Sequence, residues 1–71
     1  MVPMHSVTSS DIAALGYDDS TSTLYVRFHQ GRLYSYDRVP RSVYEALNSA
    51  PSIGSSFHAN VRYVYAYRRL Q

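Results

Sequence analysis

Arginine and tyrosine are the residue types in this chain that are best suited to binding chemistry. All 7 positively charged side chains are arginine, and tyrosine occurs 8 times without any tryptophan. A guanidinium group donates charge-assisted hydrogen bonds to phosphate, and an aromatic ring offers a face on which a base stacks. The candidate residues for a phosphate-bearing ligand are Tyr25, Arg27, Arg38, Arg62, Arg68 and Arg69. They predict a small binding module for nucleic acid, with single-stranded RNA or a nucleotide as the first ligand.

A protein-interaction surface is the alternative use of the same residue types. Tyr63, Tyr65 and Tyr67 alternate with Val64 and Ala66, a period of two that is typical of an edge strand or an ordered arm. A small domain can gain burial by pairing such a segment with a partner. The net charge of +2 is too small to demand a polyanion. The alternative prediction is therefore a homo-oligomer or a partner-binding module, such as a phage-type inhibitor or a protein that sequesters a nucleotide signal.

Groups that could support catalysis or metal binding are sparse. The histidines lie far apart at His5, His29 and His58, with no metal-ligand spacing between them. No two carboxylates are placed by local spacing for acid–base work, and cysteine is absent. The serines form no nucleophile elbow, and no glycine-rich loop is present to hold a phosphate. We expect a protein that is not an enzyme and has no metal and no cofactor.

The length of 71 residues corresponds to one small domain. A core of this size stabilises a fold by only ~3 to 5 kcal/mol. No apolar run approaches the roughly 20 residues that span a bilayer, and the first residues lack the charged-then-apolar pattern of a signal peptide. We expect a soluble, cytoplasmic protein that does not bind membranes.

Positions 23–39 carry the pattern of a β-hairpin. Apolar residues alternate with polar ones on both sides of a polar break, at Leu24, Val26 and Phe28 and again at Tyr34 and Tyr36. A two-residue turn at 30–31 would pair Phe28 with Leu33. A three-residue loop at 29–31 would instead pair Val26 with Tyr34 and Leu24 with Tyr36. The second register is preferred, because Gly31 tolerates the left-handed conformation of a bulge and Gln30 does not suit a primed turn.

The preferred register assigns every hairpin residue to a face. The predicted apolar face consists of Leu24, Val26, Phe28, Tyr34 and Tyr36. The predicted solvent face consists of Tyr25, Arg27, Leu33, Ser35 and Asp37. On this basis Tyr34 and Tyr36 should be buried, and Tyr25 should be exposed.

The segments before the hairpin predict one more strand. Residues 18–22 have the composition of a turn, in which Asp18 bonds the following backbone. Residues 13–17 form the predicted first strand, where Gly16 permits either a bulge or a close backbone approach. Residues 1–10 are polar and should fray or lie loosely along an edge. The fold class is therefore α+β, with a three-stranded antiparallel meander packed against one or two helices and an aromatic C-terminal arm or edge strand.

Two helices are predicted after the hairpin. Pro40 suits a first helical turn, and apolar residues follow at Val43, Ala46, Leu47 and Ala50, so the first helix should cover residues 40–49. A second stripe has four-residue spacing, at Ile53, Phe57 and Val61. Ser52 or Ser55 can cap this second helix. The serines there could also bind one anion on free N–H groups, but an ordinary cap is the preferred interpretation.

The order and spacing of these residues resemble the KTSC domain family. This family is named after a C-terminal extension of some lysyl-tRNA synthetases and also occurs as stand-alone bacterial and phage proteins. The first half of the resemblance covers Val7-Thr8-Ser9-Ser10, Ile12, Leu15-Gly16-Tyr17-Asp18, Leu24, Val26, Phe28, Gly31 and Tyr34-Ser35-Tyr36. The second half covers Val39-Pro40, Val43-Tyr44, Leu47, Ala50, Ser52, Gly54, Phe57 and Asn60-Val61-Arg62. The resemblance extends over residues 4–63 and describes the chain as a single domain of residues 1–71.

The chain departs from the family pattern at two places. His58 stands where the family usually has asparagine, and the tail has only Arg62, Arg68 and Arg69 where the family is often rich in lysine. The first departure puts in doubt any site that depends on that asparagine. The association of the family with a tRNA enzyme implies RNA binding as the expected function.

Overall fold

The computed structural model describes residues 2–71 as five strands and two helices. The strands are β1 His5–Ser6, β2 Ile12–Asp18, β3 Thr23–Phe28, β4 Leu33–Tyr36 and β5 Tyr67–Arg69, and the helices are α1 Arg41–Asn48 and α2 Ile53–Asn60. Neighbouring strands pair antiparallel in the order β1-β2-β3-β4-β5. The α+β class is confirmed, but the predicted count of three strands was wrong. In residues 2–71, neither helix is long and apolar enough to cross a membrane.

The β3–β4 hairpin has the predicted register. Leu24 pairs with Tyr36 and Val26 pairs with Tyr34. Gly31 has a φ of 98° and donates its N–H to the Phe28 carbonyl at 2.9 Å. The three-residue loop is therefore confirmed, because the left-handed residue falls where glycine removes the steric penalty.

The prediction for the solvent face of this hairpin was wrong at two residues. Leu33 is 1% exposed and Ser35 is 6% exposed. The chain end covers this part of β4, since the Leu70 N–H donates to the Leu33 carbonyl at 2.7 Å. On the other side of Leu33, Arg27 is its direct partner in β3. A strand that looks like an edge in the sequence is thus an inner strand.

The tyrosines of the hairpin follow the prediction only in part. Tyr36 is buried, whereas Tyr34 is half-buried. Tyr25 is also half-buried, although it was expected to be exposed. Tyr25 lies between Gly16 and Ser35 in the sheet, and both of these neighbours are buried.

A β-bulge in β2 places Ile12 and Leu15, which are three residues apart, in the same core. Ile12 pairs with Phe28, but Ala14 pairs with Arg27, so Ala13 is the extra residue. Ile12 and Leu15 are both fully buried as a result. The alternation of a regular strand would have sent them to opposite faces.

The N-terminal segment lies along an edge of the sheet, so of the two predicted alternatives, fraying and lying along an edge, the second is confirmed. His5 pairs with Leu15 and Ser6 pairs with Ala14. Residues 2–4 lie against Gly16, where an added Cβ would come within 2.6 Å of Met4 Sδ and 3.0 Å of the Pro3 carbonyl oxygen. The close approach predicted at Gly16 therefore occurs, and the N-terminal segment makes it. The expectation for Met1 lies outside the described residues.

The aromatic tail is a turn followed by a strand. The Val64 and Tyr65 N–H groups both donate to the Val61 carbonyl, at 3.1 and 3.3 Å. Residues 61–65 are therefore not extended, and the predicted period-two strand was wrong there. The strand β5 begins only at Tyr67, which pairs with Tyr36.

Both helices lie close to their predicted positions. In α1, Pro40 is the N-cap, Leu47 is buried, and Ala46 is exposed rather than part of the buried stripe. In α2, the Ser52 hydroxyl accepts the Ser55 N–H, as predicted for a cap. Ten buried residues from the sheet, both helices and the segments next to them share one core, which comprises Ile12, Leu15, Leu24, Val26, Tyr36, Val39, Leu47, Ile53, Phe57 and Val61.

Candidate functional site

A groove of about 600 Å³ opens above the β3–β4 hairpin, beside the C-terminal end of α2. We call it the aromatic groove. Its lining residues are Ser10, Asp11, Phe28, His29, Gln30, Arg32, Tyr34, Tyr36, His58, Arg62, Tyr63 and Tyr67. The groove joins three segments that are distant in the sequence, residues 10–11, 28–36 and 58–67.

Three tyrosines form the floor of the aromatic groove. Tyr34 and Tyr36 are two residues apart on β4, so their side chains point to the same face. Their ring centroids are 6.4 Å apart and the ring planes differ by 21°. Tyr67 from β5 lies against both rings, with centroids at 5.7 Å from Tyr34 and 5.9 Å from Tyr36. Sheet pairing therefore builds a continuous aromatic surface.

Two phenylalanines support this floor from the core. The Phe57 ring meets Tyr36 edge-on at 5.4 Å, and the Phe28 ring meets Tyr34 edge-on at 5.7 Å. Phe28 and Phe57 also contact each other, at 5.7 Å. Edge-to-face packing of this kind fixes the ring orientations. The floor is thus rigid on its core side and open on its groove side.

The Tyr36 hydroxyl is neutral at physiological pH, as that of an ordinary tyrosine is. Desolvation, followed by the effect of neighbouring Tyr34, raises the pKa of Tyr36 to about 12, although Arg62 acts in the opposite direction. Burial therefore extends the pH range over which the phenol stays neutral. It can donate a hydrogen bond to an anion without repelling it.

Two arginines provide positive charge to the aromatic groove. Arg32 follows the hairpin loop, and Arg62 follows α2. The Arg62 guanidinium lies 5.2 Å from the centre of the Tyr63 ring, in cation–π contact. Within residues 2–71, neither arginine forms an ion pair with a carboxylate. Both guanidinium groups can therefore donate hydrogen bonds to an anionic ligand.

The His58 ring contacts the Arg62 guanidinium group. Arg62 Nη1 lies 3.2 Å from His58 Nδ1, a contact in which the arginine donates and the histidine proton is on Nε2. His58 Nε2 in turn lies 3.6 Å from Asp11 Oδ2. The three side chains form a row at one wall of the groove.

The hairpin loop is fastened to the segment before β2. His29 Nε2 donates to the Ser9 carbonyl at 2.7 Å, and the His29 N–H donates to the Asp11 carbonyl at 3.0 Å. The structure thus brings together His29, His58 and Asp11, which the sequence analysis treated as unrelated. No group of three potential metal ligands occurs among residues 2–71.

The residues predicted to bind a ligand lie on different surfaces. Arg62, Tyr63 and Tyr67 line the aromatic groove. Arg69 is the partner of Tyr34, so it lies on the same face at the groove edge, and its Nε donates to the Gln71 carbonyl at 3.1 Å. Tyr65 packs instead against the core.

The other predicted residues lie away from the groove. Arg68 is the partner of Ser35 on the opposite face and lies 4.0 Å from Asp37. Tyr25 and Arg27 share that face, and Arg27 donates to the Gly31 carbonyl and to Gln71 Oε1. Arg38 is exposed and has a φ of 55°. These arginines therefore do not form one surface with Arg62.

The sequence analysis did not assign Arg32, Tyr34 or Tyr36 to the binding site. Tyr34 and Tyr36 were placed in the core, under the first helix. In the structure the helices leave part of this face uncovered, and Tyr34 remains half-buried there. The two-residue spacing of Tyr34 and Tyr36 indicated that both rings lie on one face of the sheet. It did not indicate which part of that face the helices leave uncovered.

The comparisons with known proteins agree with the fold and its residues. The KTSC domain profile matches residues 8–65. The chain is 37% identical over 68 residues to a lysine–tRNA ligase of Nostoc sp. (strain PCC 7120), with 96% of the chain covered. It spans only 12% of the length of that relative. It is also 42% identical over 53 residues to an uncharacterized protein of Stutzerimonas stutzeri, with 75% of each chain covered.

A solved structure has the same fold as this chain. The crystal structure of a KTSC domain protein from Yersinia pestis superposes with a TM-score of 0.93 and is 29% identical in sequence. The alignment covers 100% of both chains. From its sequence and its fold, this chain belongs to the KTSC domain family.

Proposed function

We propose that this protein is a small, non-catalytic binding module for phosphate-bearing ligands, with single-stranded RNA as the first candidate. The observation that carries the proposal is the aromatic floor of Tyr34, Tyr36 and Tyr67 beside Arg32 and Arg62. Single-strand binders combine these two elements, because bases stack on aromatic rings and phosphates pair with cations.

The charge of the aromatic groove supports an anionic ligand. Its lining has two arginines and one carboxylate, Asp11, which lies 3.6 Å from His58. Tyr36 adds a hydroxyl that is neutral at physiological pH and so does not repel an anion. The groove therefore favours a ligand with a negative group and a flat apolar part.

The curated relatives support RNA over other polyanions. Several of them are lysine–tRNA ligases, which by name act on tRNA. The chain corresponds to about one-eighth of those proteins, so their activity does not extend to it as a whole. What the relation adds is an association of this domain with an enzyme that handles RNA.

No feature of the aromatic groove calls for catalysis. Its titratable side chains are Asp11, the histidines His29 and His58, and the tyrosines, and none lies beside a serine in a nucleophile–base arrangement among residues 2–71. Binding without reaction is the simplest role for such a set.

Fluorescence anisotropy with labelled single-stranded RNA tests the proposal. Titrations at about 50 and 200 mM salt should show affinity falling as salt rises, because phosphate contacts release counterions. Arg62→Gln should weaken binding, whereas Arg68→Gln on the opposite sheet face is the matched control and should not. Absence of binding at low salt would refute the proposal.

A protein-interaction module is the second candidate, and the exposed hydrophobic residues favour it. Tyr63 is 82% exposed, Val64 62%, Tyr67 60% and Leu70 45%. Residues of this kind, when grouped on a surface, mark sites of protein association. An apolar interface should respond little to salt, which separates this candidate from the first.

A further inference from the structure

We infer that the aromatic groove binds one nucleotide unit, with its base on Tyr34 and Tyr67 and its phosphate on Arg32 and Arg62, and that it does not track along a strand. This inference rests on the proposed function. It narrows the ligand to a nucleoside phosphate, either free or at the end of an RNA chain.

The boundaries of the aromatic groove limit what it can hold. Its lining ends at the hairpin loop with His29 and Gln30 on one side and at Tyr63 and Tyr67 on another. A third wall is fastened in place, because His29 Nε2 donates to the Ser9 carbonyl. The lining includes no residue of β1, β2 or α1. At Ser10, Asp11 and His58 the groove adjoins a second cavity of about 240 Å³, whose lining among residues 2–71 contains no arginine to pair with a further phosphate.

The volume of the aromatic groove fits one small molecule. Ligand pockets for drug-sized molecules measure about 300 to 1,000 Å³. The groove measures about 600 Å³ and is open on top. A nucleoside phosphate is a molecule of that class, whereas several stacked nucleotides would need a longer surface.

The positions of the arginines also favour a site for a single nucleotide. Arg41 is bound to Asp19 and to Glu45, which neutralise it. Arg27 and Arg68 lie on the opposite face of the sheet, and Arg68 is 4.0 Å from Asp37. A strand leaving the groove would meet Arg69 at the groove edge, whose Nε donates to the Gln71 carbonyl, but no continuous row of cations beyond it among residues 2–71. Only Arg32 and Arg62 line the groove itself.

A length series of RNA separates a single-nucleotide site from a strand-tracking one. The probes are a nucleoside monophosphate, a dinucleotide with a 5′-phosphate, and oligonucleotides of increasing length with and without a 5′-phosphate, each competing against one labelled nucleotide. Affinity should level off at one or two nucleotides. The slope of log affinity against log salt should be about −0.7, because a single phosphate is neutralised.

The same series distinguishes a free nucleotide from a strand end. Equal competition by the monophosphate and by the 5′-phosphorylated oligonucleotides would support a site that accepts both. Competition by the monophosphate alone would support a site for the free nucleotide. The corresponding nucleoside without phosphate should compete at least tenfold less well, since it forms no contact with Arg32 or Arg62.

Variants connect the binding to the aromatic groove. Tyr67→Leu should weaken nucleotide affinity roughly 5- to 100-fold, which is the loss of one stacking contact. Tyr67 is 60% exposed, so this change does not empty the core. Tyr25→Leu on the opposite face is the control and should retain affinity.

Two outcomes would overturn the inference in different ways. Affinity that rises steadily with oligonucleotide length, with a salt slope between about −2 and −3.5, would refute the single-nucleotide site and leave RNA binding intact. No binding of any nucleotide or oligonucleotide at low salt would refute both the inference and the proposed function.

Discussion

Tyr36 and Tyr67 lie directly opposite each other on β4 and β5, with their ring centroids 5.9 Å apart. Tyr36 is 3% exposed, whereas Tyr67 is 60% exposed. The contact joins a core residue to a surface residue, so β5 extends the aromatic surface from the core to the solvent. The floor of the aromatic groove therefore depends on the pairing of β4 with β5, which are distant in the sequence.

Tyr36 should make stability depend on pH in the alkaline range. Its pKa is raised from the ordinary value of 10.0 to about 12 because the folded state desolvates the hydroxyl. Stability from the neutral phenol is fully present below pH 10 and is lost as pH rises toward 12. Denaturant unfolding of the wild type and of Tyr36→Phe across this pH range checks the prediction. A wild type and variant that lose stability in parallel would contradict it.

His58→Asn should preserve the position of Arg62, whereas His58→Leu should not. A neutral histidine and an asparagine each present an acceptor and a donor, so either can accept from Arg62 and face Asp11. Leucine can do neither. Nucleotide affinity of the three proteins, with thermal unfolding as a control for folding, measures the difference. Equal affinity of the asparagine and leucine variants would show that His58 does not position Arg62.

Gly31→Val should destabilise the hairpin, because residue 31 has a φ of 98° that a β-branched side chain avoids. A strained backbone position of this kind costs about 1 to 3 kcal/mol. Apart from residue 31 and its two chain neighbours, no heavy atom of residues 2–71 lies within 4 Å of an added Cβ there, so crowding is not the cause. Gln30→Val at the neighbouring exposed position is the matched control. Chemical denaturation would compare the two variants, and equal losses would contradict the role assigned to φ.

Leu47→Ala should unfold the domain or nearly so. Leu47 is 1% exposed and belongs to the single core. Removing a buried leucine side chain costs ~2 to 5 kcal/mol, comparable with the whole stability expected at this size. Ala46→Ser on the exposed side of α1 serves as the control. A cooperative unfolding transition of Leu47→Ala with unchanged midpoint would show that the core lies elsewhere.

Self-association through the exposed aromatic residues stays a prediction. Tyr63 and Tyr67 are exposed, but Tyr65 packs against the core, so an interface would use only the first two. Sedimentation at about 100 μM should detect a dimer with an interface of roughly −6 kcal/mol. Tyr63→Ser should weaken that dimer, and a monomeric wild type at this concentration would exclude it.

The local features were readable from the sequence because short-range chemistry decides them. Gly31 and the alternation around it specified the hairpin loop and the pairing of Val26 with Tyr34. Ser52 and the four-residue spacing from Ile53 to Phe57 specified α2. In each case the interacting groups are close in the chain, so residue type alone selects one geometry.

The two outer strands were not predicted as the structure has them. β1 has two residues and β5 has three, and all of them are exposed, so neither carries a pattern of burial. Their positions depend on which edge of the meander is free to pair. That information lies in the partner strands β2 and β4, many residues away.

By itself, the sequence determined the fold class, the hairpin register, both helices and the family of this protein. Only the tertiary structure decided which arginines and tyrosines meet. Arg68 and Arg69 are neighbours in the chain, yet sheet pairing sends them to opposite faces. Arg32 is 30 residues before Arg62 and 35 before Tyr67 in the chain, yet all three line one groove. The physical reason is that a binding surface depends on strand order and on what the helices leave uncovered, and both arise from contacts between distant segments.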